Sequence, residues 1–472
     1  MVCINETIGS CFYAADAENI QTASAIHRFY SIQAQLIRAP KAMKLIVNKN
    51  QPWWALGLLL AVQLGTASGA AHAAPYTPTS DAEVIETLPG RASDPATRRV
   101  DSLRKQLAAR PDDAALRVDI ARRYFDMAMA QGDPRYVGYA AGALAPLNNN
   151  TPGSGAQAVV GTVVGAMMGI KPADRSQRAE YFQVRGMIEQ FNHQFDAALA
   201  SLAQASQLNP TSPEPLLWRS AIYMVQAKYP EAAAECAKVK PLADPLVGIG
   251  CSAYVDGSHA GGLEAAFNAL SQAVKQYPAG PPELLLWQYT RLAEMALRLE
   301  RFEAAEGYYK SALKLGIVDQ FLLGSYADFL LARKRPAEVL TLLADWERSD
   351  ILLLRLALAA KVSGDSRAAG FAAQLRDRFD AAARRGDRLH EQEAARFELD
   401  IERNPKKALA LASANYTSQK EPRDAEILMR AALGAGQAAQ ARPALAWWRS
   451  SAHQDANIYN LANQLVAQGA EK

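Results

Sequence analysis

Few side chains in this 472-residue sequence could do covalent or metal chemistry, and they are scattered. Of four cysteines, Cys3 and Cys11 lie near the start, and Cys236 and Cys251 lie fifteen apart. A redox dithiol favours the closer Cys-x-x-Cys spacing, in which one thiol stabilises the other's thiolate. His193, His259, His390 and His453 are far apart, no two share a helical face, and they read as solvated or loop residues. His390-Glu391 lacks the second His of a His-Glu-x-x-His zinc site, so no metal site is expected. Gly248-Ile249-Gly250-Cys251-Ser252-Ala253 has the outline of a dinucleotide fingerprint, but that loop must follow a strand. Pro245 precedes it and the region reads as helix, so small residues allowing close helix packing explain it. No Gly-x-Ser-x-Gly nucleophile motif occurs. The expectation is no catalytic residue, no cofactor and no enzyme.

The elements around these residues are helical throughout. Pro95 to Arg110 carries Val100, Leu103 and Leu107 at helical spacing, and Ala114 to Gln131 carries Leu116, Ile120, Tyr124 and Met127. Asp133-Pro134 breaks the chain and Tyr136 to Leu147 returns. A chain this long exceeds one compact core, so several domains or an elongated array are expected. Removing residues 1–73 takes away five basic and three acidic residues, leaving 46 and 45, a net charge of +1. Nucleic-acid binding by phosphate neutralisation calls for a clear basic excess, so no nucleic-acid partner is expected. Arg376, Arg378, Arg384, Arg385 and Arg388 are interleaved with Asp377, Asp380 and Asp387, as on a solvated face.

Residues 1–73 read as leader and signal peptide. Lys44 and Lys49 supply the positive start, Trp53 to Leu64 the apolar stretch, and Ala71-His72-Ala73 a small-x-small cleavage site. The apolar stretch is too short for a membrane span; a buried or anchoring N-terminal helix is the alternative. Such a leader implies a periplasmic or secreted protein cut near Ala73. Met43-Lys44 makes the better start for it, so translation is expected to begin at Met43 rather than 42 residues earlier. Residues 74–95 are rich in Pro, Thr and Ser and read as a flexible linker, and 96–147 as N-terminal helical repeats.

Residues 148–176 interrupt the pattern. Asn-Asn-Asn-Thr-Pro-Gly-Ser-Gly opens the stretch, followed by AQAVVGTVVGAMMGI. Gly161, Gly165 and Gly169 share one helical face, the spacing at which helices approach closely in membranes. The run is too short to span a bilayer. An apolar insert folded over a neighbouring repeat explains it, with peripheral membrane contact or self-association through 156–170 as the alternative.

From Ala179 to Pro210 the sequence AEYFQVRGMIEQFNHQFDAALASLAQASQLNP reads as two amphipathic helices, Ala179 to Asn192 and Phe195 to Leu208. Phe182, Gly186, Ala198, Leu202, Ala205 and Pro210 fall on the frame of a tetratricopeptide repeat, which this unit resembles; Arg185 and Glu189 depart from it. The twelve-residue spacing of small crossing residues recurs at Ala221 and Ala233, Ala293 and Ala305, Ala357 and Ala369, and Ala432 and Ala444, with Val339 the larger partner of Ala327. The unit from Leu285 fits well, with Leu292, Phe302, Tyr309 and Ala312 in frame. Leu246 to Pro278 and Leu389 to Ser418 fit loosely. Residues 177–472 are therefore expected to form an all-α solenoid of antiparallel helix pairs with a capping helix over Asn457 to Gln468. Each pair buries a face that it cannot cover alone.

The resemblance implies more. It puts Cys236 on the second helix of one repeat and Cys251 on the first helix of the next, neighbours in a stack. In an oxidising compartment a disulfide follows, two buried thiols being the alternative. It puts first helices on the concave side, and so a groove lined by Gln183, Met187 and Gln190; Trp218, Ile222 and Gln226; Trp287, Thr290, Glu294 and Arg298; and Phe321 and Asp328. Aromatics among amides and charges suit an extended peptide or a helix, though inter-repeat core is an equal reading for Trp218, Trp287 and Phe321. The family's role in protein interaction implies a non-enzymatic extracytoplasmic scaffold or adaptor with a protein or peptide partner in the cell envelope. The alternative is an accessory of envelope biogenesis or polymer export that touches the membrane through the Gly-rich insert.

Overall fold

Asp94 starts the first helix by accepting hydrogen bonds from the Ala96 and Thr97 amides at 3.4 Å, with Pro95 fixing φ at the first helical position. The computed structural model describes residues 94–148, 172–317 and 319–470. Among them are twenty α-helices, one 3₁₀ turn and no strand. The leader, the linker up to residue 93, and residues 149–171 with Gly161, Gly165 and Gly169 lie outside the described residues. The first helix begins at Pro95, where the helical spacing starts, and the helix after the insert begins at Pro172, inside the expected interruption of 148–176.

Helix α1 (Pro95–Ala109) leads in. The helices then come in antiparallel pairs: α2 (Ala114–Gln131) with α3 (Arg135–Asn148), α4 (Pro172–Phe191) with α5 (Phe195–Leu208), α6 (Glu214–Val225) with α7 (Tyr229–Val239), α8 (Pro245–Asp256) with α9 (Leu263–Gln276), and α10 (Pro282–Arg298) with α11 (Phe302–Leu313). The series continues with α12 (Gln320–Ala332) and α13 (Pro336–Leu342), α14 (Asp350–Ser363) and α15 (Ala368–Arg384), and α16 (Glu391–Asp400) and α17 (Pro405–Asn415). Last come α18 (Pro422–Gly434) with α19 (Arg442–Ser451), and the single helix α20 (Ala456–Ala467). First helices pack on first helices: α2 on α4 on α6, α8 on α10, and α12 through α14, α16 and α18 to α20. This is an all-α, tetratricopeptide-like solenoid.

The turns inside the pairs repeat one backbone device. His193, Ala227, Glu300 and Lys334 have φ of 60, 57, 57 and 59°, the left-handed region, and Arg403 follows at 55°. The amide after each of the first four reaches back to close a helix-end motif: Gln194 to Glu189 O, Lys228 to Tyr223 O, Arg301 to Ala296 O and Arg335 to Leu330 O, all between 2.8 and 2.9 Å. Gly364 and Gly436 do the same in other pairs.

Helix crossings explain the small residues. A Cβ on Gly186 would meet Leu202 Cγ at 2.7 Å, so α4 and α5 touch there only because residue 186 is glycine. The two departures from the repeat frame, Arg185 and Glu189, pair at 2.7 Å, and Ser201 on α5 also donates to Glu189 at 2.6 Å. Ala293, Ala305 and Tyr309 are fully buried, as are Ala327, Val339 and Leu343. In two units the expected frame slips. In α6–α7 the crossing is Ser220 on Ala232, with Ser220 Oγ donating to Ala232 O at 3.2 Å, one residue before Ala221 and Ala233. Cys236 then occupies the place four residues on. In α14–α15 Ala369 is exposed, whereas Ala359, Phe371 and Leu375 are buried. An alanine-rich helix offers several equivalent spacings, and the large residue behind the crossing decides between them.

The solenoid turns back on itself. The Gln320 side chain at the start of α12 donates to Met129 O in α2 at 3.2 Å and accepts from Ser349 at 2.6 Å. Gly132, at φ +63°, leaves the space that the Gln320 amide occupies. Further on, the Lys420 amide donates to Val225 O and the Ala260 amide to Ser451 O, both at 2.7 Å. The C-terminal repeats thus lie across the inner face of the central ones. Their apolar core is separate, running from Ala395 to Ala470, while the larger core runs from Val118 to Phe397. Helix α16 contributes to both.

Candidate functional site

Between the first helices of the central repeats and the C-terminal repeats lies a lumen of about 750 Å³. Its walls are charged on both sides. Glu294 of α10 takes Arg291 at 2.9 Å from its own helix and Arg423 at 3.2 Å from α18 opposite. Asp328 of α12 takes Arg355 at 2.7 Å from α14 and Arg396 at 2.8 Å from α16. Asp400 accepts from Arg430 at 2.5 Å. Burial opposes ionisation of Asp328, yet the Arg355 and Arg396 guanidiniums hold its carboxyl well below the usual carboxylate range. Burial pushes Glu426 up against the pull of Arg430 and Arg396. The Arg291 guanidinium lies 3.9 Å from the Tyr254 ring centre, and Arg291 and Arg423 cover Phe321 at 5.1 and 5.0 Å.

Arg298 is different. It meets neutral acceptors, Gln454 O at 3.0 Å and Gly257 O at 2.7 Å, and passes 3.4 Å from His453 Nδ1. Burial draws its pKa down. His453 Nδ1 faces Ser258 O at 2.8 Å, so the ring donates its N–H there. Burial first, then Arg298, holds its pKa down to about 3, so the imidazole is neutral. Far from being a solvated loop residue, His453 is buried in a seam where Tyr229 stacks edge-on to His259 at 4.9 Å and Trp447 lies 5.2 Å from His453. The position of the C-terminal repeats, not local sequence, buries it.

Of the expected groove residues, Glu294, Arg298 and Asp328 line the lumen. Gln183, Met187, Gln190, Trp218, Ile222, Trp287, Thr290 and Phe321 are buried. Trp218 sits edge-on to Phe125 at 5.9 Å, and Thr290 donates to Leu286 O at 2.8 Å within α10. These positions pack one first helix on the next. Gln226 faces a second cavity. Sequence reasoning missed the opposite wall: Arg396, Asp400, Arg423, Glu426, Arg430 and Asp455. The visible signal was the four-residue spacing of opposite charges, Arg396 with Asp400 and Glu426 with Arg430.

Cys236 and Cys251 are at disulfide distance, with Cα atoms 5.5 Å apart, joining α7 to α8. Gly248 and Gly250 lie inside helix α8, and a Cβ on Gly250 would strike Gln288 of α10 at 2.3 Å. They serve packing, not a phosphate loop. Among the described residues no group of three or more His, Cys, Asp and Glu could hold a metal ion, and no helix is long and apolar enough to cross a membrane.

No protein-family model matches the sequence, and no curated protein matches it. Among solved structures, yeast Tom70 is similar at 14% identity and a TM-score of 0.37, over 79% of this chain and 86% of that one. The tetratricopeptide domain of P58(IPK) is similar at 13% and 0.21, over 62% and 99%. A chain of the Naa15/Naa10 complex bound to HypK-THB is similar at 13% and 0.22, over 80% and 65%. The fold class rests on the helix pairing itself, and these likenesses say nothing of activity or ligand.

Proposed function

We propose that the protein is a non-enzymatic extracytoplasmic scaffold or adaptor that holds a segment of a protein partner in the lumen. The observation that carries this is the mixed charge on facing walls, Glu294 and Asp328 on one side against Arg423 and Arg396 on the other. A passing peptide finds donors and acceptors for both its main chain and its charged side chains, on helices rigid enough to present them without reorganisation. The leader sequence and the Cys236–Cys251 pair support a location outside the cytoplasm, where disulfides persist.

A photo-crosslinking amino acid at Asn460, which lines the lumen, and at exposed Lys314, which does not, tests the reading in intact cell envelopes. One protein partner captured from Asn460 and absent from Lys314 is expected. Equal capture from both positions, or none from Asn460, would overturn it.

A further inference from the structure

A second cavity of about 750 Å³ opens on the far side of the seam and shares no lining residue with the lumen. Its floor is buried: Tyr229 of α7, Tyr416 after α17, Leu428 of α18 and Trp447 of α19. Its rim is exposed, with Thr417, Gln440 and Ser450 among the residues there. The size falls within the roughly 300–1,000 Å³ typical of small-molecule sites.

Three polar atoms in this lining have no hydrogen-bond partner among the described residues: Gln226 Oε1, Ser413 Oγ and Tyr416 Oη. Tyr416 is 4% exposed. A buried polar atom without a partner is destabilising, and all three belong to residues that line this one cavity, at the end of α6 and in the α17 region. An incoming group is needed that donates to the Gln226 carbonyl and exchanges hydrogen bonds with two hydroxyls.

The rest of the lining narrows the chemistry. It holds no carboxylate, so a cation finds no counter-charge, and its one formal cation is Lys420, too little for a phosphate-rich ligand. What remains is three aromatic rings beside neutral amides and hydroxyls. That set matches a molecule with apolar C–H faces and an edge of hydroxyls. We infer that this cavity binds a short neutral oligosaccharide, its ring faces against Tyr229, Tyr416 and Trp447 and its hydroxyls on Gln226, Ser413 and Tyr416.

Saturation-transfer NMR and calorimetry on the purified full-length chain, with maltotriose and with triacetylchitotriose, test this. Saturable binding of one of the two is expected, with a matching rise in melting temperature. Tyr416→Phe removes one hydroxyl and keeps the ring. It should weaken binding about tenfold, the factor for one hydrogen bond of about 1.4 kcal/mol, while the empty protein melts no lower. Ser413→Ala serves the same purpose should Tyr416→Phe fail to fold. Binding of neither sugar, which would leave the cavity to water, or binding unchanged in both variants, would overturn the inference. The outcome is independent of the lumen, because no lumen residue is altered.

Discussion

Trp447 donates its indole N–H to the Tyr229 hydroxyl at 2.9 Å, joining residues 218 apart in sequence. Both side chains are buried, and burial pushes the Tyr229 pKa up to about 12. The bond fastens α19 to α7, the last pair to a central one. Tyr229→Phe leaves the indole N–H buried without an acceptor, so it should lower stability by about 1–2 kcal/mol in chemical denaturation. Tyr229→Phe combined with Trp447→Phe should lose less than the sum of the two single losses, because each single variant already breaks the shared bond, and a double-mutant cycle reads that difference as coupling. Strict additivity would show that the seam is held elsewhere.

Lys334 sits in the left-handed region at φ 59°, exposed, in the turn between α12 and α13. A non-glycine residue there costs about 1–2 kcal/mol, part of which glycine gives back by loosening the unfolded chain. Lys334→Gly should therefore raise stability by about 0.5 kcal/mol. A fall in the denaturation midpoint would mean the lysine makes an interaction that outweighs the strain.

These turns show where the sequence was legible. Helix limits were readable to within a residue or two at Ala114–Gln131, Phe195–Leu208 and Pro405, because periodic apolar residues, Pro at helix starts and Asp caps are local signals. The left-handed turn was not, because His193, Ala227, Glu300 and Lys334 carry none of glycine's signature even though the first two, and the last two, stand one repeat length of 34 residues apart. The lumen was half legible. Glu294, Arg298 and Asp328 follow from the repeat frame, whereas Arg396, Arg423 and Arg430 reach the site only because the solenoid winds back on itself. Winding sums small rotations over many pairs, and no single residue states it.

Cys236 and Cys251 enclose a loop of fifteen residues spanning the α7–α8 turn. Chain entropy gives such a bridge about 3 kcal/mol of stabilisation. Reductant should therefore lower the melting temperature of the wild type and leave a Cys236→Ser, Cys251→Ser variant unmoved. Two thiols alkylated in the native, unreduced chain from Ala74 onward would show the bridge absent.

Asp126 of α2 has its pKa raised to about 7, chiefly by burial, against the pull of Arg122 and Arg123 and with Glu214 and Asp119 adding to the rise. A raised folded-state pKa means the folded chain holds the proton longer than the unfolded chain. This contribution is fully present below about pH 4 and is lost as pH rises through about 7. Asp126→Asn removes the titration, so its stability relative to wild type should improve between pH 5 and pH 8, by on the order of 1–2 kcal/mol. A difference that stays flat with pH would show that Asp126 is ionised throughout.

Arg298 ties three segments at once: the end of its own helix α10, the Gly257 carbonyl after α8, and the Gln454 carbonyl before α20. A guanidinium can do this because its fork donates in several directions from one rigid plane, which a lysine ammonium cannot match. Losing it removes the cation beside His453 and leaves two carbonyls to find other donors. Arg298→Ala should therefore speed hydrogen exchange at 452–458 and 257–263 while helices α4 and α5, far along the solenoid, stay protected. Arg298→Lys should give an intermediate result. Weaker partner capture by Arg298→Ala would report an opened seam as much as a lost contact, whereas Asp400→Asn changes the wall without touching the clasp. Should exchange at 452–458 stay at the wild-type rate in Arg298→Ala, the clasp belongs to Trp447 and Tyr229 alone, and Arg298 would be free to act on the partner.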